Sequence, residues 1–349
     1  MSIIRPNIER MSAYQPGEQP QDGGWIKLNT NENPYPPSPK VLEALRAHIG
    51  PEVRLYPDPM ATLVREAVSK TYGVPVDWVL VGNGSDDLLT IVTRTFVDPG
   101  EKIVFPAPTY SLYCTLAEIQ DAKYVEIPFP DDFSLPAGLA EAGGKLTILS
   151  NPNSPSATLV PRRQVEELAR KVKGVLVVDE AYVDFAEENC LDLPKRLENV
   201  VVLRTLSKSF NLCGLRVGFA VARPELIGHM VKVKDSYNVN RLGIYAGAAA
   251  LDDIAYMRGN AEKIKATRAR LSSEMNKMGF RVYPSQANFI MACIAAKPGR
   301  SAREIYLKLK QRKILVRYFS APRLKDCLRI SVGTDEEIDA LLATLPSLL

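Results

Sequence analysis

Four short apolar runs limit what this chain can fold into: LTILS (Leu146–Ser150), VLVV (Val175–Val178), VVVL (Val200–Leu203) and VGFAVA (Val217–Ala222). They are rich in β-branched residues and too short for helices. None alternates polar with apolar, so both faces of each strand must be covered. Upstream, Trp78–Val81, Lys102–Phe105 and Lys123–Ile127 also read as strands. Helical patterns over Asp87–Phe96, Tyr110–Gln120 and Arg162–Val172 fall between strands. This β–α alternation predicts a mostly parallel sheet sandwiched by helices.

The flanks read differently. The first thirty residues (YQPGEQPQDGG) read as an extended arm, and helices are predicted over Pro39–His48 and Thr62–Tyr72. From Pro224 to Lys277 helices dominate. The tail then alternates strand and helix, ending with a helix from Asp335, which is the pattern of a smaller α+β unit.

Bulk properties exclude several classes. With 44 basic and 40 acidic residues the net charge is +4, and no run of five like charges exists. Neither nucleic acid nor a membrane is an expected partner. Two histidines are too few for a histidine-based metal site, and no metal is expected. Five scattered cysteines without a C-x-x-C pair read as reduced thiols of a cytoplasmic protein. No apolar signal core or 18-residue apolar run is present, so a soluble, unexported protein is expected.

Ligands of open α/β sheets bind outside the carboxyl ends of the strands, and the polar residues gather there. VLVVDEAY ends in Asp179, Glu180 and Tyr182, and VVLRTLSKSF ends in Thr205, Ser207 and Lys208. VLVVDE also describes a Walker B strand, but the only Gly-Lys pair, Gly144-Lys145, lacks the preceding glycine and following hydroxyl of a P-loop. A buried Asp179 stays charged only beside a cation, such as a protonated pyridine nitrogen. GNGSDD (Gly82–Asp87) opens a helix and presents backbone N–H groups to a phosphate, or Ser85 or Asp86 simply caps that helix. It is not the dinucleotide fingerprint. Thr205, Ser207 and Arg216 look like a phosphate cup beside an amine. Tyr110 either stacks on a planar cofactor or packs in the core. Arg317 (LVRYF) and Arg329 (LRISVG) present planar forks for anions, or Arg317 makes surface salt bridges.

The ordered set LNTNENPYPPSP, LYPDP, GNGSDD, APTY, NPNSPSATLV, VVDEAY, LRTLSKSFNLCGLRVGF, YNVN and CLRISVGT resembles the fold-type I pyridoxal-phosphate aminotransferases, and within them the histidinol-phosphate aminotransferases. The resemblance spans nearly the whole chain. It implies a large cofactor-binding domain (30–245) and a small α+β domain (246–349), which the N-terminal arm (1–29) joins. It implies Lys208 as Schiff-base anchor and proton shuttle, Asp179 on the pyridinium nitrogen, Tyr182 on the phenolic oxygen and Tyr110 on the ring face. It gives the pyridoxal 5'-phosphate anion to Ser85, Asp86, Thr205, Ser207, Arg216 and, across a homodimer, Tyr56. Arg329 would bind the substrate carboxylate, Arg317 and Tyr14 its distal phosphate, and Asn33 would line the site. The implied reaction is transamination of histidinol phosphate with 2-oxoglutarate. Aromatic or broad-specificity aminotransferases and threonine-phosphate decarboxylases share these features.

Two departures stand out. Ser154 occupies the place of the family's usual asparagine toward the phenolic oxygen, with Ala157 for its glycine, and Leu55 stands where an arginine is frequent. The shorter Ser154 leaves Tyr182 as the main direct donor, so the bound cofactor is expected to titrate at a shifted pH.

Overall fold

The computed structural model describes residues 2–13, 17–298 and 300–349. Among the described residues thirteen strands follow in chain order: β1 (Ile26–Lys27), β2 (Val79–Gly82), β3 (Lys102–Ala107), β4 (Lys123–Pro128), β5 (Leu146–Ser150), β6 (Val175–Asp179), β7 (Val200–Thr205), β8 (Gly218–Val221), β9 (Arg281–Val282), β10 (Phe289–Cys293), β11 (Ile314–Leu315), β12 (Arg317–Tyr318) and β13 (Cys327–Ser331).

Seven of them form the central sheet, in the order β2-β8-β7-β6-β5-β3-β4. β8 runs antiparallel between β2 and β7, and the other pairings are parallel. The continuous apolar runs are explained by a helical layer on each face. Leu176 and Val178 of β6 enter one core with Val200 and Val202 of β7. Val177, Val201 and Leu203 enter the other. All seven are 0% exposed. The strands thus have no solvent side on which a polar residue could alternate. In β6 the polar residue comes at the strand's end, whereas the edge strand β4 alternates and carries Glu126 within it.

The helices Pro39–His48 and Thr62–Tyr72 lie where the sequence places them. Ser38 caps the first by accepting from Lys40 N at 3.1 Å. The helical stretch after Pro224 is three helices, Pro224–Val233, Arg241–Asp252 and Ile254–Lys277. The arm is not wholly extended: Pro6–Arg10 forms a short helix, and Asn7 donates to Glu118 O at 2.8 Å.

A second sheet, β12-β13-β10-β9, is antiparallel throughout. β1 pairs in parallel with β11, matching Ile26 with Ile314. Leu28 joins Leu271, Ile290, Ile330 and Leu341 in a separate apolar core. The cysteine reading is corrected here. Cys293 and Cys327 are joined by a disulfide, while Cys114, Cys190 and Cys213 are free. The two lie directly opposite on β10 and β13, with Cα atoms 3.9 Å apart. Strand register, not their spacing in sequence, creates that pair.

Candidate active site

The ends of β5, β6 and β7 and the start of the helix Ser85–Phe96 face one cavity of about 730 Å³. Its first corner suits an anion. Gly84 lies at φ +84°, and a Cβ there would come within 2.6 Å of Arg216 Nη2. The missing side chain therefore lets the guanidinium lie across the helix N-terminus, whose N–H groups have no intrahelical acceptors. Gly218 permits a second close approach, since its Cβ would stand 2.8 Å from Ser85 N. Arg216 donates to Ser207 Oγ at 3.4 Å and to Asp86 Oδ2 at 3.3 Å. Thr205 Oγ1 donates to Ser207 Oγ at 2.9 Å. An incoming anion would share Arg216 with Asp86, so the corner carries no uncompensated charge without it.

The second corner holds the amine and the buried carboxylate. Lys208 Nζ donates to Thr30 O at 3.4 Å and lies 6.0 Å from the Tyr182 ring centroid. Asp179 is 3% exposed. Its Oδ2 accepts from Tyr113 Oη at 2.7 Å and its Oδ1 from Ala181 N at 3.2 Å. Burial pushes the Asp179 carboxyl up to about 6, Asp86 and Glu180 push the same way, and the two hydrogen bonds oppose them. A cation held beside this group would restore its charge. Tyr110 lines the same space and donates to Asp86 Oδ1 at 3.2 Å. Tyr182 accepts from Asn31 Nδ2 at 3.1 Å, which leaves its own proton to donate.

The third corner holds the arginines. β12 and β13 place Arg317 directly opposite Arg329. Arg329 donates to Asn29 O at 2.8 Å and to Ser154 Oγ at 3.3 Å. Its guanidinium lies 5.3 Å from the Phe289 ring centroid and 5.6 Å from that of Phe319. Arg317 lies 5.4 Å from Phe319. One aromatic ring thus braces both cations.

Of the residues singled out in the sequence, Ser85, Asp86, Tyr110, Ser154, Asp179, Tyr182, Thr205, Ser207, Lys208, Arg216, Arg317 and Arg329 line this cavity. Asn33 does not; its amide donates to the Lys208 carbonyl at 2.9 Å and so holds the lysine loop. Asn31, two residues earlier, lines the cavity instead. Its left-handed backbone (φ +57°) re-aims the chain in a way no residue count reveals. Tyr56 is 78% exposed and stacks on Tyr237, outside the cavity of its own chain. Tyr14 lies outside the described residues. Tyr113 was missed because LYCTLAEI reads as an ordinary buried helix.

The aminotransferase class I and II family profile matches residues 23–345. The chain belongs to that family. Class I and II relatives at high identity include histidinol-phosphate aminotransferase 1 of Trichormus variabilis, 49% identical, with 100% of this chain and 99% of the other aligned. The histidinol-phosphate aminotransferase of Synechocystis is 48% identical over 100% of this chain and 99% of its own. Among solved structures, histidinol-phosphate aminotransferase from Sinorhizobium meliloti, in complex with pyridoxal-5'-phosphate, superposes with a TM-score of 0.90. It is 27% identical and covers 100% of this chain and 98% of that one. The cavity's donor set fits such a group: a helix N-terminus and guanidinium for phosphate, an amine for an aldehyde, and a buried carboxylate for a ring cation.

Proposed function

We propose that the chain transfers the amino group of histidinol phosphate to 2-oxoglutarate, giving imidazole acetol phosphate and glutamate, a step of histidine biosynthesis, with pyridoxal 5'-phosphate as cofactor. The carrying observation is that an amine, a buried carboxylate, an anion corner and two facing arginines line one cavity. Relatives called histidinol-phosphate aminotransferase align over the full chain.

When bound, the cofactor supplies the electron sink for charge developing at the substrate's α-carbon. Lys208 would hold it covalently, and the same amine is the group that would take the α-carbon proton as general base. Asp179 would pair with the ring nitrogen, and Tyr182 would donate to the phenolic oxygen. Ser85, Thr205, Ser207, Arg216 and the helix N-terminus, where Asp86 stands, would hold the phosphate, and Tyr110 would cover a ring face. Arg329 takes the α-carboxylate of glutamate or 2-oxoglutarate, and Arg317 with Tyr14 takes the phosphate of histidinol phosphate. Asn33 acts on the Lys208 loop rather than on substrate. Tyr56 reaches the phosphate of a partner subunit in a cytoplasmic homodimer, a reading supported by its exposure in the single chain. We infer a large domain over 30–245 and a small one over 246–349 that the arm 1–29 joins, with the arm's helix Pro6–Arg10 resting against the large one. Among the described residues no helix is long and apolar enough to cross a membrane.

The test is a half-reaction panel: holoenzyme mixed separately with histidinol phosphate, phenylalanine, tyrosine and threonine phosphate, watched for loss of the cofactor's aldehyde absorbance. Histidinol phosphate should convert the cofactor fastest. Faster conversion by an aromatic amino acid, or release of carbon dioxide from threonine phosphate, would overturn the substrate assignment.

Ser154 offers a second check. Its hydroxyl accepts from Arg329 Nη1 at 3.3 Å. Ser154→Asn adds a donor toward the phenolic oxygen and stabilises its deprotonated form, so the midpoint of the cofactor's visible absorbance titration should fall. Identical midpoints in wild type and variant would show that Ser154 does not set the titration.

A further inference from the structure

Tyr113 heads the fully buried large side chains, at 0% exposure. It sits on the helix Leu112–Ile119, with ring centroids 5.8 Å from Phe105 and 5.7 Å from Tyr110, the latter edge-on. A phenylalanine would fill that space. A buried hydroxyl is unfavourable unless it is paired, and this one has its partner in Asp179 Oδ2 at 2.7 Å. Burial, with Asp179 next to it, raises the Tyr113 phenol well above its ordinary range, so it remains a donor.

The charged surroundings of Asp179 give that bond its importance. Asp86, from the helix Ser85–Phe96, and neighbouring Glu180 both disfavour its charge, although Arg204 partly neutralises Glu180. Lys208, Tyr182 and Tyr110 line the cavity around it. Against burial and two carboxylates stand the Tyr113 hydroxyl and one backbone N–H, from Ala181. The hydroxyl is the closer donor, and a hydrogen bond to a carboxylate favours its ionised form.

We propose that Tyr113 is a positioning residue whose hydroxyl keeps Asp179 charged and oriented to hold the cationic ring nitrogen of the cofactor. This rests on the pyridoxal-phosphate reading of the cavity. Tyr113 acts only through Asp179, and it fixes the lower pH limit of cofactor binding. An Asp179 that takes up a proton no longer pairs with the ring cation. Affinity is therefore retained above the carboxyl's titration and lost as pH falls through it. Removing the hydroxyl moves that loss to higher pH.

The test is Tyr113→Phe, which deletes one oxygen and keeps the ring packing. Full-length wild type and variant, freed of cofactor, are titrated with pyridoxal phosphate from about pH 5 to pH 9. The variant should bind about tenfold more weakly near neutrality, the worth of a hydrogen bond to a charged group. Its acid limb should lie about one pH unit higher. In an Asp179→Asn background the same substitution should change affinity less than about twofold. Superimposable acid limbs would overturn the proposal, even if the variant melted at lower temperature, because a packing role lowers stability without moving that limb. An equal loss in the Asp179→Asn background would overturn it too. If wild type takes up no pyridoxal phosphate, the cofactor reading itself falls.

Discussion

Lys208→Ala lowers kcat by about 10⁴-fold or more and removes the visible absorption of covalently held cofactor. Lys208 is the one lysine among the described residues lining the cavity. In the proposed mechanism two jobs fall on the same amine: holding the aldehyde and moving the α-carbon proton. A neighbouring group cannot take over either. Arg10, Arg216, Arg317 and Arg329 are the other large cations among the described residues lining it, and a guanidinium stays protonated throughout the working range. The anion corner and Asp179 survive the substitution, so cofactor should still bind, without its covalent link. The checks are steady-state turnover with histidinol phosphate and an absorption spectrum after reconstitution. A variant with wild-type turnover would end the aminotransferase mechanism proposed for this cavity.

Glu180→Leu destabilises the fold by about 3–5 kcal/mol, the usual result of stranding a buried charge. Glu180 is 2% exposed and Arg204 is 5% exposed. Arg204 Nε and Nη2 both lie 2.8 Å from Glu180 Oε2, and Oε1 accepts from Cys190 N. The guanidinium also sits 5.0 Å from the Tyr72 ring centroid. Burial pushes the Glu180 carboxyl up, and Arg204 opposes that push. Removing Glu180 leaves an almost wholly buried guanidinium that cannot shed its proton. The double variant Glu180→Leu/Arg204→Met should recover at least half of the loss, because it replaces both charges by apolar groups. Denaturant unfolding of the two variants and wild type measures both quantities. A single-variant loss under about 1 kcal/mol would show that the pair is solvated.

Much of the sheet was legible because its central strands β6 and β7 are apolar runs whose polar residues gather at their carboxyl ends. VLVVD and VVVLRT announce both their burial and the place where chemistry can start. Lys208, Asp179 and Arg216 stood out because a charge at such an end needs a reason. Their neighbours did not sort themselves so easily. Glu180 follows Asp179 in the chain, yet the pleat sends them to opposite sides of the sheet. One faces the cavity and the other pairs with Arg204. Asn31 and Asn33 are both polar residues of one loop, and a left-handed turn at Asn31 decides which lines the cavity. Tyr113 looked like packing because its ring is packing; only its oxygen is not.

By itself the sequence determined the α/β class, the strand ends where ligands gather and the cofactor-type donor set, because hydrophobic periodicity and residue chemistry are local properties. The tertiary structure decided what depends on register and crossing. It inserted β8 antiparallel between β2 and β7, and set Arg317 opposite Arg329. It also brought Cys293 against Cys327 and Tyr113 against Asp179. These pairs lie between 12 and 66 residues apart in the chain. Their meeting is fixed by which strands and helices pack together, and no local pattern encodes that.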